Sequence, residues 1–287
     1  WTIVRSFVVG LASVVTGVSH ADLVVHYTFD GNAQDSSGNG IHATVVGAAL
    51  APDRFGAPDK AYAFDGVDDY LVAAASQLPT NQRTVAFWFN CADVDVHPVM
   101  LGYGGSGCGD SFFTGLNATN QPFPGTFYVS THCNANNMTA SYGRAPVNEW
   151  MHYAFTNGPE GSRIYVNGGI AVLGANQFFT AVAGTELAIG VNVGPSGLAP
   201  YTDVNVGWFK GSIDDVRIYD SALSEAEIAE LAADNCPADF DGNGLVDGSD
   251  LGSLLGEWGS PGAADFNNDG TVDGDDLGTL LGLWGPC

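Results

Sequence analysis

The sequence predicts a mainly β protein, an antiparallel two-sheet β-sandwich followed by a small module with short helices. Between residues 22 and 219, short runs of β-branched and aromatic residues are separated by Gly, Asn and Asp, which is typical of strands and tight turns. No strand–helix alternation repeats along these runs, which disfavours a parallel α/β fold. Near the C-terminus, the acidic segment DFDGNGLVDGSD (239–250) returns as DFNNDGTVDGDD (265–276) and predicts a separate duplicated module.

The composition restricts the possible partners of the protein. The 287-residue chain has 32 acidic and 8 basic residues and a formal net charge of −24. This charge argues against binding to nucleic acid or to an anionic membrane surface. The 45% share of apolar residues and the 39 Gly indicate a folded, turn-rich protein, because a disordered chain would have fewer apolar residues.

The N-terminus has the pattern of a signal peptide covering residues 1–21. Arg5 supplies a short basic region, residues 7–18 (FVVGLASVVTGV) are apolar, and Ser19 and Ala21 occupy the small-residue positions before a cleavage point. The apolar stretch is too short to span a bilayer, and no other segment is long enough. We therefore expect a secreted protein, extracellular or at the cell surface, with a sandwich at 22–235 and a second module at 236–287.

The strands of the sandwich are predicted from apolar and aromatic runs. These runs are LVVHYTFD (23–30), AYAFDG (61–66), DYLVAAA (69–75), RTVAFWFN (83–90), VMLGYG (99–104), TFYVSTH (126–132), WMHYAFT (150–156), SRIYVNG (162–168), ELAIGV (186–191) and DDVRIYD (214–220). One helix follows them. Ser224 is its expected N-cap, Glu225 and Glu227 lie in the first turn, and Ile228 and Leu231 give an apolar stripe that would dock on the sandwich.

The five cysteines become candidates for disulfides if the protein is exported. The runs SFFTGL and TFYVST predict a hairpin, and extending its antiparallel ladder outward brings Cys108 close to Cys133. Cys236 and Cys287 bracket the acidic module and would join its two ends. Cys91, on an aromatic strand, is interpreted as a buried thiol. These pairings are hypotheses, because sequence alone does not fix connectivity.

Four blocks of the first domain, in order, resemble the LamG-like members of the concanavalin A-like lectin/glucanase superfamily. They are HYTFDGNAQDSSGNGIHAT, KAYAFDGVDDYLVA, NEWMHYAFTNGPEGSRIYVNG and GWFKGSIDDVRIYDSALSEAEIAEL. The resemblance covers residues 23–233 and implies a jelly-roll sandwich. It leaves the function open, because the superfamily includes glycan binders, adhesion modules, glycosidases and supporting domains.

A catalytic role is not expected for this chain. Glycoside hydrolysis requires two carboxylates on either side of the scissile bond. Glucanase members of the superfamily carry Glu-x-Asp-x-x-Glu on one strand, and no segment here matches it. The acids of DGVDDY (65–70) are assigned to turn hydrogen bonding. The six His show no zinc-site spacing, and no Gly-x-Ser-x-Gly motif is present.

Two features of the sandwich suggest ligands. Asp214 shares strand parity with Val216 and Ile218, which predicts a carboxylate on the apolar face. The family resemblance implies a structural calcium near this strand and the FDGN turn, so Asp30 and Asp214 form a candidate calcium site, with backbone N–H groups as the alternative partners of these acids.

Four aromatic residues could stack on sugar rings, but core packing is the alternative role for them. They are Tyr70, Phe87, Trp88 and Phe89. Phe87 and Phe89 share one strand face, and we assign both to the core.

The duplicated acidic segment matches the EF-hand calcium loop, which supplies oxygens from positions 1, 3, 5, 7, 9 and 12 and places Gly at position 6. The predicted ligands of the first loop are Asp239, Asp241, Asn243, the carbonyl of Leu245, Asp247 and Asp250. Those of the second loop are Asp265, Asn267, Asp269, the carbonyl of Thr271, Asp273 and Asp276. Val246 and Val272, at position 8, are expected to pair as a short apolar bridge. Two Ca²⁺ ions would cancel the repulsion between the loop carboxylates.

Each loop has Asp in place of Glu at position 12, and one helix follows each loop, DLGSLLGEW or DLGTLLGLW. This layout resembles a dockerin of type I, which implies a cohesin-like partner for residues 236–287. Dockerins usually carry basic residues on these helices and follow a Ser/Thr/Pro linker, and this chain has neither.

The sequence thus predicts a secreted, non-catalytic binding protein, either for polysaccharide or as part of an extracellular assembly linked to polysaccharide breakdown. The alternative is an adhesion or surface-structure protein in which the calcium module only stabilises the chain. Cohesin-like domains encoded in the same genome would favour the first interpretation.

Overall fold

The computed structural model of the chain describes residues 21–93, 97–105, 107–117, 125–134, 137–140, 143–201, 207–233, 238–241, 245–267 and 269–286. Within them, strands β1 to β15 form two antiparallel sheets, which confirms the predicted sandwich. The signal segment before Ala21, the ligand Asn243 and the pair Cys236–Cys287 lie outside the described residues, so those predictions stay open.

The strands and helices follow one another along the chain. The strands of the sandwich are β1 (Leu23–Tyr27), β2 (Thr44–Val46), β3 (Ala49–Ala51), β4 (Ala61–Asp65), β5 (Tyr70–Ala74), β6 (Arg83–Cys91), β7 (Val99–Gly104), β8 (Ser111–Leu116), β9 (Phe127–Ser130), β10 (Met138–Thr139), β11 (Trp150–Gly158), β12 (Gly161–Val166), β13 (Gly169–Gly174), β14 (Glu186–Ile189) and β15 (Lys210–Tyr219). The remaining elements are α1 (Glu225–Ala232), β16 (Leu245–Val246), α2 (Gly248–Gly256), α3 (Gly274–Gly282) and β17 (Gly285–Pro286).

The first sheet has the order β13–β12–β11–β6–β15–β4–β3, and β1 also pairs with β15. The second sheet has the order β10–β9–β8–β7–β14–β5–β2. All strand pairs in both sheets are antiparallel. Strand β6 is covered on both faces and is buried except at Asn90, which explains why its sequence is an almost continuous apolar and aromatic run.

The core between the two sheets is rich in aromatic rings. Phe87 and Phe89 are buried there, as predicted. The ring of Phe89 lies edge-on to that of Phe127 in the opposite sheet, with centroids 5.7 Å apart. The hydroxyl groups of Thr114 and Tyr153 lie 2.7 Å apart and also link the sheets. Such buried ring pairs each add about 0.5–1.5 kcal/mol beyond their buried area, so they help to fix how the sheets stack.

Helix α1 packs on the outer face of the first sheet. Its Ile228 is buried in an apolar cluster with Ala86 and Ala154, as the predicted stripe requires. The N-terminus has the expected cap: the Ser224 hydroxyl accepts from the backbone N–H of Glu227, and the Glu227 carboxylate accepts from the backbone N–H of Ser224. No helix among the described residues is long and apolar enough to cross a bilayer.

A disulfide joins Cys108 to Cys133, with Cα atoms 5.2 Å apart, which confirms the pairing predicted from the hairpin. It closes the open end of the β8–β9 ladder, in which Phe113 pairs with Ser130. Cys91 is a free, buried thiol, as interpreted from the sequence, and burial raises its pKa to about 11.

The C-terminal elements share an apolar cluster to which each copy of the repeat contributes the same residue types. The members are Ala238, Phe240, Val246, Leu251, Leu254, Ala264, Phe266, Val272, Leu277 and Leu280. The rings of Phe240 and Phe266 stack with centroids 6.0 Å apart. The duplication in sequence is thus a duplication in packing.

The position-8 valines differ from the prediction. Val246 and Val272 are both fully buried in the shared cluster, but their backbones have other partners. Val246 pairs with Gly285, after α3, and Val272 exchanges hydrogen bonds with Gly259 and Ser260, after α2. Each loop therefore pairs its backbone with the segment that follows the helix of the other copy. This pairing also satisfies backbone hydrogen-bonding groups beyond the end of each helix.

Candidate functional site

The first acidic loop brings three of its predicted ligands together. Asp239, Asp241 and Asp250 each place a carboxylate oxygen within 4.8 Å of the other two. Asp250 is fully buried, whereas Asp241 is exposed. Like charges this close repel each other. The arrangement suits a cation that takes oxygen ligands, as Ca²⁺ does.

The aspartate at position 12 closes each loop by hydrogen bonding. One oxygen of Asp250 accepts from the backbone N–H of Phe240 at 2.7 Å, and the other accepts from the N–H of Asp247 at 2.8 Å. Asp276 accepts from Phe266 at 2.8 Å and from Asp273 at 2.9 Å in the same way. The bonds from Asp273 and Phe266 hold the pKa of the Asp276 carboxyl below its usual range, although burial opposes them. The Asp276 carboxyl is therefore ionised at neutral pH, and Asp250 accepts the equivalent pair of backbone hydrogen bonds.

The turn of the second loop is held by backbone N–H groups that donate to polar side chains of the same loop. Asp265 accepts from the backbone N–H groups of Asp269 and Gly270, at 3.1 and 2.9 Å. The amide oxygen of Asn267 also accepts from the N–H of Asp269. Gly270, at position 6, has φ +95°, a conformation that favours glycine. This fits the sharp turn that the EF-hand pattern requires there.

The predicted position-9 ligands, Asp247 and Asp273, are the N-caps of α2 and α3. One oxygen of Asp247 accepts from the N–H of Ser249, and one oxygen of Asp273 accepts from the N–H of Asp275. A cap of this kind occupies one carboxylate oxygen and leaves the second for other contacts. Thr271, whose carbonyl is the predicted position-7 ligand, is exposed. The residues present fit a calcium ion, since all the donors are oxygens and the metal would have a rigid, capped frame.

The other candidate calcium ligands lie beside different basic residues. Asp30 is exposed and pairs with Lys60, with Oδ1 and Nζ 2.9 Å apart. Asp214 is buried and lies 3.4 Å from a guanidinium nitrogen of Arg54. Neither belongs to a group of three potential metal ligands within the described part of the chain. A calcium site at Asp30 and Asp214 remains a prediction.

The predicted orientation of Asp214 is wrong because β15 contains a β-bulge. The register with β6 shifts between Asp214 and Arg217, and Asp215 has φ +49°. Ile213 pairs with Phe89 in the core, so the next residue, Asp214, faces outward. Counting the alternation of side chains back from Val216 therefore assigns Asp214 to the wrong face, because the bulge adds one residue.

Trp88 lies on the same outer face and is not open to a sugar. It is 6% exposed, and the guanidinium of Arg54 lies 4.6 Å from its ring centroid. Burial raises the pKa of Asp214 to about 8, with the charge of Asp215 adding to the rise. Burial lowers the pKa of His152, whose ring is 5.4 Å from that of Trp88, to about 4. The Trp88 ring is therefore covered by protein and is not available for stacking on a sugar.

The acids of the DGVDDY turn behave as assigned. The Asp65 carboxylate accepts from the backbone N–H groups of Val67 and Asp68, and Asp69 accepts from the N–H of Asp65. The three carboxylates lie within 4.8 Å of one another, and turn geometry accounts for their placement.

The outer face of the second sheet carries a group of residues that the sequence did not predict. We call Phe113, Tyr128, His132, Asn192 and Tyr201 the outer aromatic cluster. The Phe113 ring lies 6.1 Å from that of Tyr128 and 5.5 Å from that of His132. The His132 ring is 6.1 Å from that of Tyr201, and the Tyr201 N–H donates to the Asn192 carbonyl. His132 and Tyr201 are half-buried, and the others are buried.

Glycines in two strands of this sheet allow the cluster to lie close to the backbone. A Cβ on Gly102 would lie 3.1 Å from the side-chain oxygen of Asn192, and one on Gly115 would lie 3.0 Å from the Tyr128 hydroxyl. Glycine inside a strand often marks such a close approach, and it was the sequence signal that could have located this face. Tyr70, proposed for sugar stacking, is half-buried elsewhere on it, 6.0 Å from the ring of Trp208.

Two antiparallel sheets in this order, with a helix on one outer face and partly exposed aromatic rings on the other, define a lectin-like β-sandwich protein. The family described as the concanavalin A-like lectin/glucanases superfamily matches residues 65–229, more than half of the chain. The protein belongs to this superfamily. No curated protein sequence matches the chain.

Solved structures show the same fold. Domain 4 of AbnA, an extracellular GH43 arabinanase from Geobacillus stearothermophilus, in complex with arabinotriose, is 25% identical with a TM-score of 0.58, and the match covers 74% of this chain and 98% of that one. The ligand binding domain of botulinum neurotoxin serotype D, in complex with N-acetylneuraminic acid, is 14% identical with a TM-score of 0.55, covering 75% and 51%. Trypanosoma rangeli sialidase is 17% identical with a TM-score of 0.52, covering 77% and 33%. The last two show the fold alone.

Proposed function

We propose that this chain is a secreted, non-catalytic carbohydrate-binding protein whose C-terminal module, residues 236–287, folds around two calcium ions. The observation that carries the calcium part is the convergence of Asp239, Asp241 and Asp250 within 4.8 Å, in a loop whose position-12 acid is buried and accepts one backbone hydrogen bond on each oxygen. The second loop repeats the pattern of bonds at Asp276.

Electrostatics favours metal in these loops. Residues 236–287 contain nine Asp, one Glu and no Lys or Arg, so no basic side chain of the module can neutralise the loops. Two Ca²⁺ ions bring four positive charges. Because the ligands converge only in the folded state, the free energy of binding is also free energy of folding.

The calcium proposal is tested by titrating the metal-free full chain with Ca²⁺ in an isothermal calorimeter. We expect two ions per chain and a gain of helical circular dichroism. Mg²⁺ is a matched control, because it prefers six ligands in a tighter octahedron. Binding of no calcium, or binding that leaves the helical signal unchanged, would contradict the proposal.

The carbohydrate role is supported by the superfamily and by the similarity to the AbnA domain, whose structure contains arabinotriose. The non-catalytic role is supported by the missing Glu-x-Asp-x-x-Glu strand motif.

The test combines a glycan array, read with calcium and with EDTA, and an assay of reducing-sugar release from β-glucans and arabinan. We expect binding without turnover. Turnover that a single Asp or Glu substitution abolishes would show an enzyme instead.

The C-terminal module is also proposed to dock on a cohesin-like domain, as a dockerin does. Support comes from apolar side chains exposed at equivalent positions of the two copies, Leu255 and Trp258 in the first and Leu281 and Trp284 in the second. Isolated exposed apolar residues are common, but a repeated Leu–Trp pair suggests a contact surface.

The docking proposal is tested by measuring binding of the full chain to purified cohesin domains with and without EDTA. Calcium-dependent binding that Trp258→Ser and Trp284→Ser together weaken supports it. Absence of binding to all of them would leave the module as a stabilising cap, which is the adhesion or surface-structure alternative.

A further inference from the structure

We infer that the outer aromatic cluster, Phe113, Tyr128, His132, Asn192 and Tyr201, binds a neutral oligosaccharide on the outer face of the second sheet. The inference rests on the proposed carbohydrate-binding function and assigns to it a site and a class of sugar.

Asn192 is the central observation. Its side chain is 1% exposed, and neither its amide nitrogen nor its amide oxygen has a hydrogen-bond partner within the described part of the chain. The Tyr128 hydroxyl is also buried without a partner there. Buried polar groups are nearly always hydrogen-bonded, so these atoms require a ligand or ordered water. Neighbouring sugar hydroxyls can serve an amide as both acceptor and donor, and they can bond a phenol.

The rings of the cluster provide the apolar part of a sugar site. His132 and Tyr201 are half-buried, so each presents part of its surface to solvent beside Asn192. The His132 ring nitrogen lies 3.1 Å from the carbonyl of Val193, and the N–H of Tyr201 bonds the Asn192 carbonyl, so both residues are held to the Asn192 segment. Small-molecule sites commonly combine aromatic walls with a few fixed polar groups in this way.

The charges favour a neutral sugar. The cluster contains no Lys, Arg, Asp or Glu, and the chain as a whole has a net charge of −24. A sugar with a carboxylate would meet a repulsive field and no guanidinium or ammonium group in the cluster. Arabinotriose, present with the AbnA domain, is neutral, whereas N-acetylneuraminic acid, present with the toxin domain, is an acid.

The test measures binding of arabinotriose, xylotriose, cellotriose and N-acetylneuraminic acid to the calcium-loaded full chain by calorimetry. Asn192→Ala and Tyr201→Ala are compared with Phe179→Ala, which removes an aromatic ring that is 49% exposed and lies outside the cluster. We expect at least one neutral trisaccharide to bind, about tenfold weaker binding or more in the two cluster variants, and no change in Phe179→Ala.

A second measurement does not depend on whether the variants fold. Hydroxyl-radical footprinting of the unmodified chain should show His132 and Tyr201 protected by the trisaccharide, with Phe179 unprotected. If the chain binds a trisaccharide while both cluster variants keep full affinity, or while the footprint lies elsewhere, the site is wrong and the carbohydrate role stands. A preference for N-acetylneuraminic acid overturns the assigned sugar class. If no saccharide binds, both the site and the carbohydrate role fail.

Discussion

Asp250 and Asp276 each use one carboxylate to bond two backbone N–H groups, one at the start of the loop and one at the N-cap of the following helix. A shorter Asp at position 12 can reach both donors, because it lies within the capping box of its own helix. The departure from Glu therefore has a structural reason, and the same oxygens remain the last candidate ligands of each loop.

Replacing Asp276 by Ala should weaken the module more than replacing its neighbour Asp275. Asp276→Ala removes the acceptors of the N–H groups of Phe266 and Asp273, and leaving two part-buried donors without these partners destabilises the folded loop. Asp275 carries the same type of side chain but is exposed, so Asp275→Ala is the matched control for the loss of one carboxylate. Calorimetric calcium titration and thermal unfolding of both variants check this expectation. Equal loss of calcium affinity in the two variants would contradict it.

His152 should make the sandwich less stable in acid. Its pKa is lowered from 6.5 to about 4 by burial, with Arg217 and Arg54 adding to the effect and Asp215 opposing it. Between these values the unfolded chain takes up a proton and the folded chain does not, so the free energy of unfolding falls as pH falls. His152→Leu should reduce this fall. Urea unfolding of both proteins at pH 7.5 and pH 5 tests it, and a stability difference that is the same at both pH values would rule it out.

At the scale of elements, the sequence located the long strands, since their apolar and aromatic runs are local signals. It did not locate β2, β3, β10 or β13. The first two have three residues each, β10 has two, and β13 is an exposed edge strand without clear alternation. The bulge in β15 was also missed, because a φ of +49° at Asp215 depends on packing, and this one residue reversed the predicted side of Asp214.

The Cys108–Cys133 disulfide should stabilise the β8–β9 hairpin through the denatured state. The cysteines are 25 residues apart, and closing a loop of this size stabilises the folded chain by about 3.5 kcal/mol. We expect dithiothreitol to lower the Tm of the unmodified protein and to leave that of a Cys108→Ser, Cys133→Ser double variant unchanged. As a control, peptide mapping without reduction checks that Cys108 and Cys133 are bonded in the unmodified protein. An unmodified protein with the same Tm in both conditions would show that the bond adds no stability.

At the scale of the whole molecule, the two candidate sites differ in how far sequence could predict them. The two acidic loops place their candidate calcium ligands at fixed offsets within twelve consecutive residues, so the pattern is readable before any fold is known. The outer aromatic cluster joins β8, β9 and the segment after β14, and these meet only once the sheet has formed. Its residues carry no local motif, and only the strand glycines hinted at them.

The distribution of charge predicts that the two parts of the chain unfold separately when calcium is removed. The sandwich has its own apolar core of buried aromatic and aliphatic residues, whereas the module has a cluster of ten residues beneath loops of concentrated negative charge. Calcium at about 100 times its dissociation constant adds roughly 2.7 kcal/mol to the folded state, a large share of the stability of so small a module.

In EDTA we expect residues 236–287 to become sensitive to protease and to lose helical circular dichroism, while the sandwich keeps its melting transition. High salt should partly restore the module, because it screens the repulsion between carboxylates. The same protease pattern and helical signal in EDTA as in calcium would show that the module folds without the metal.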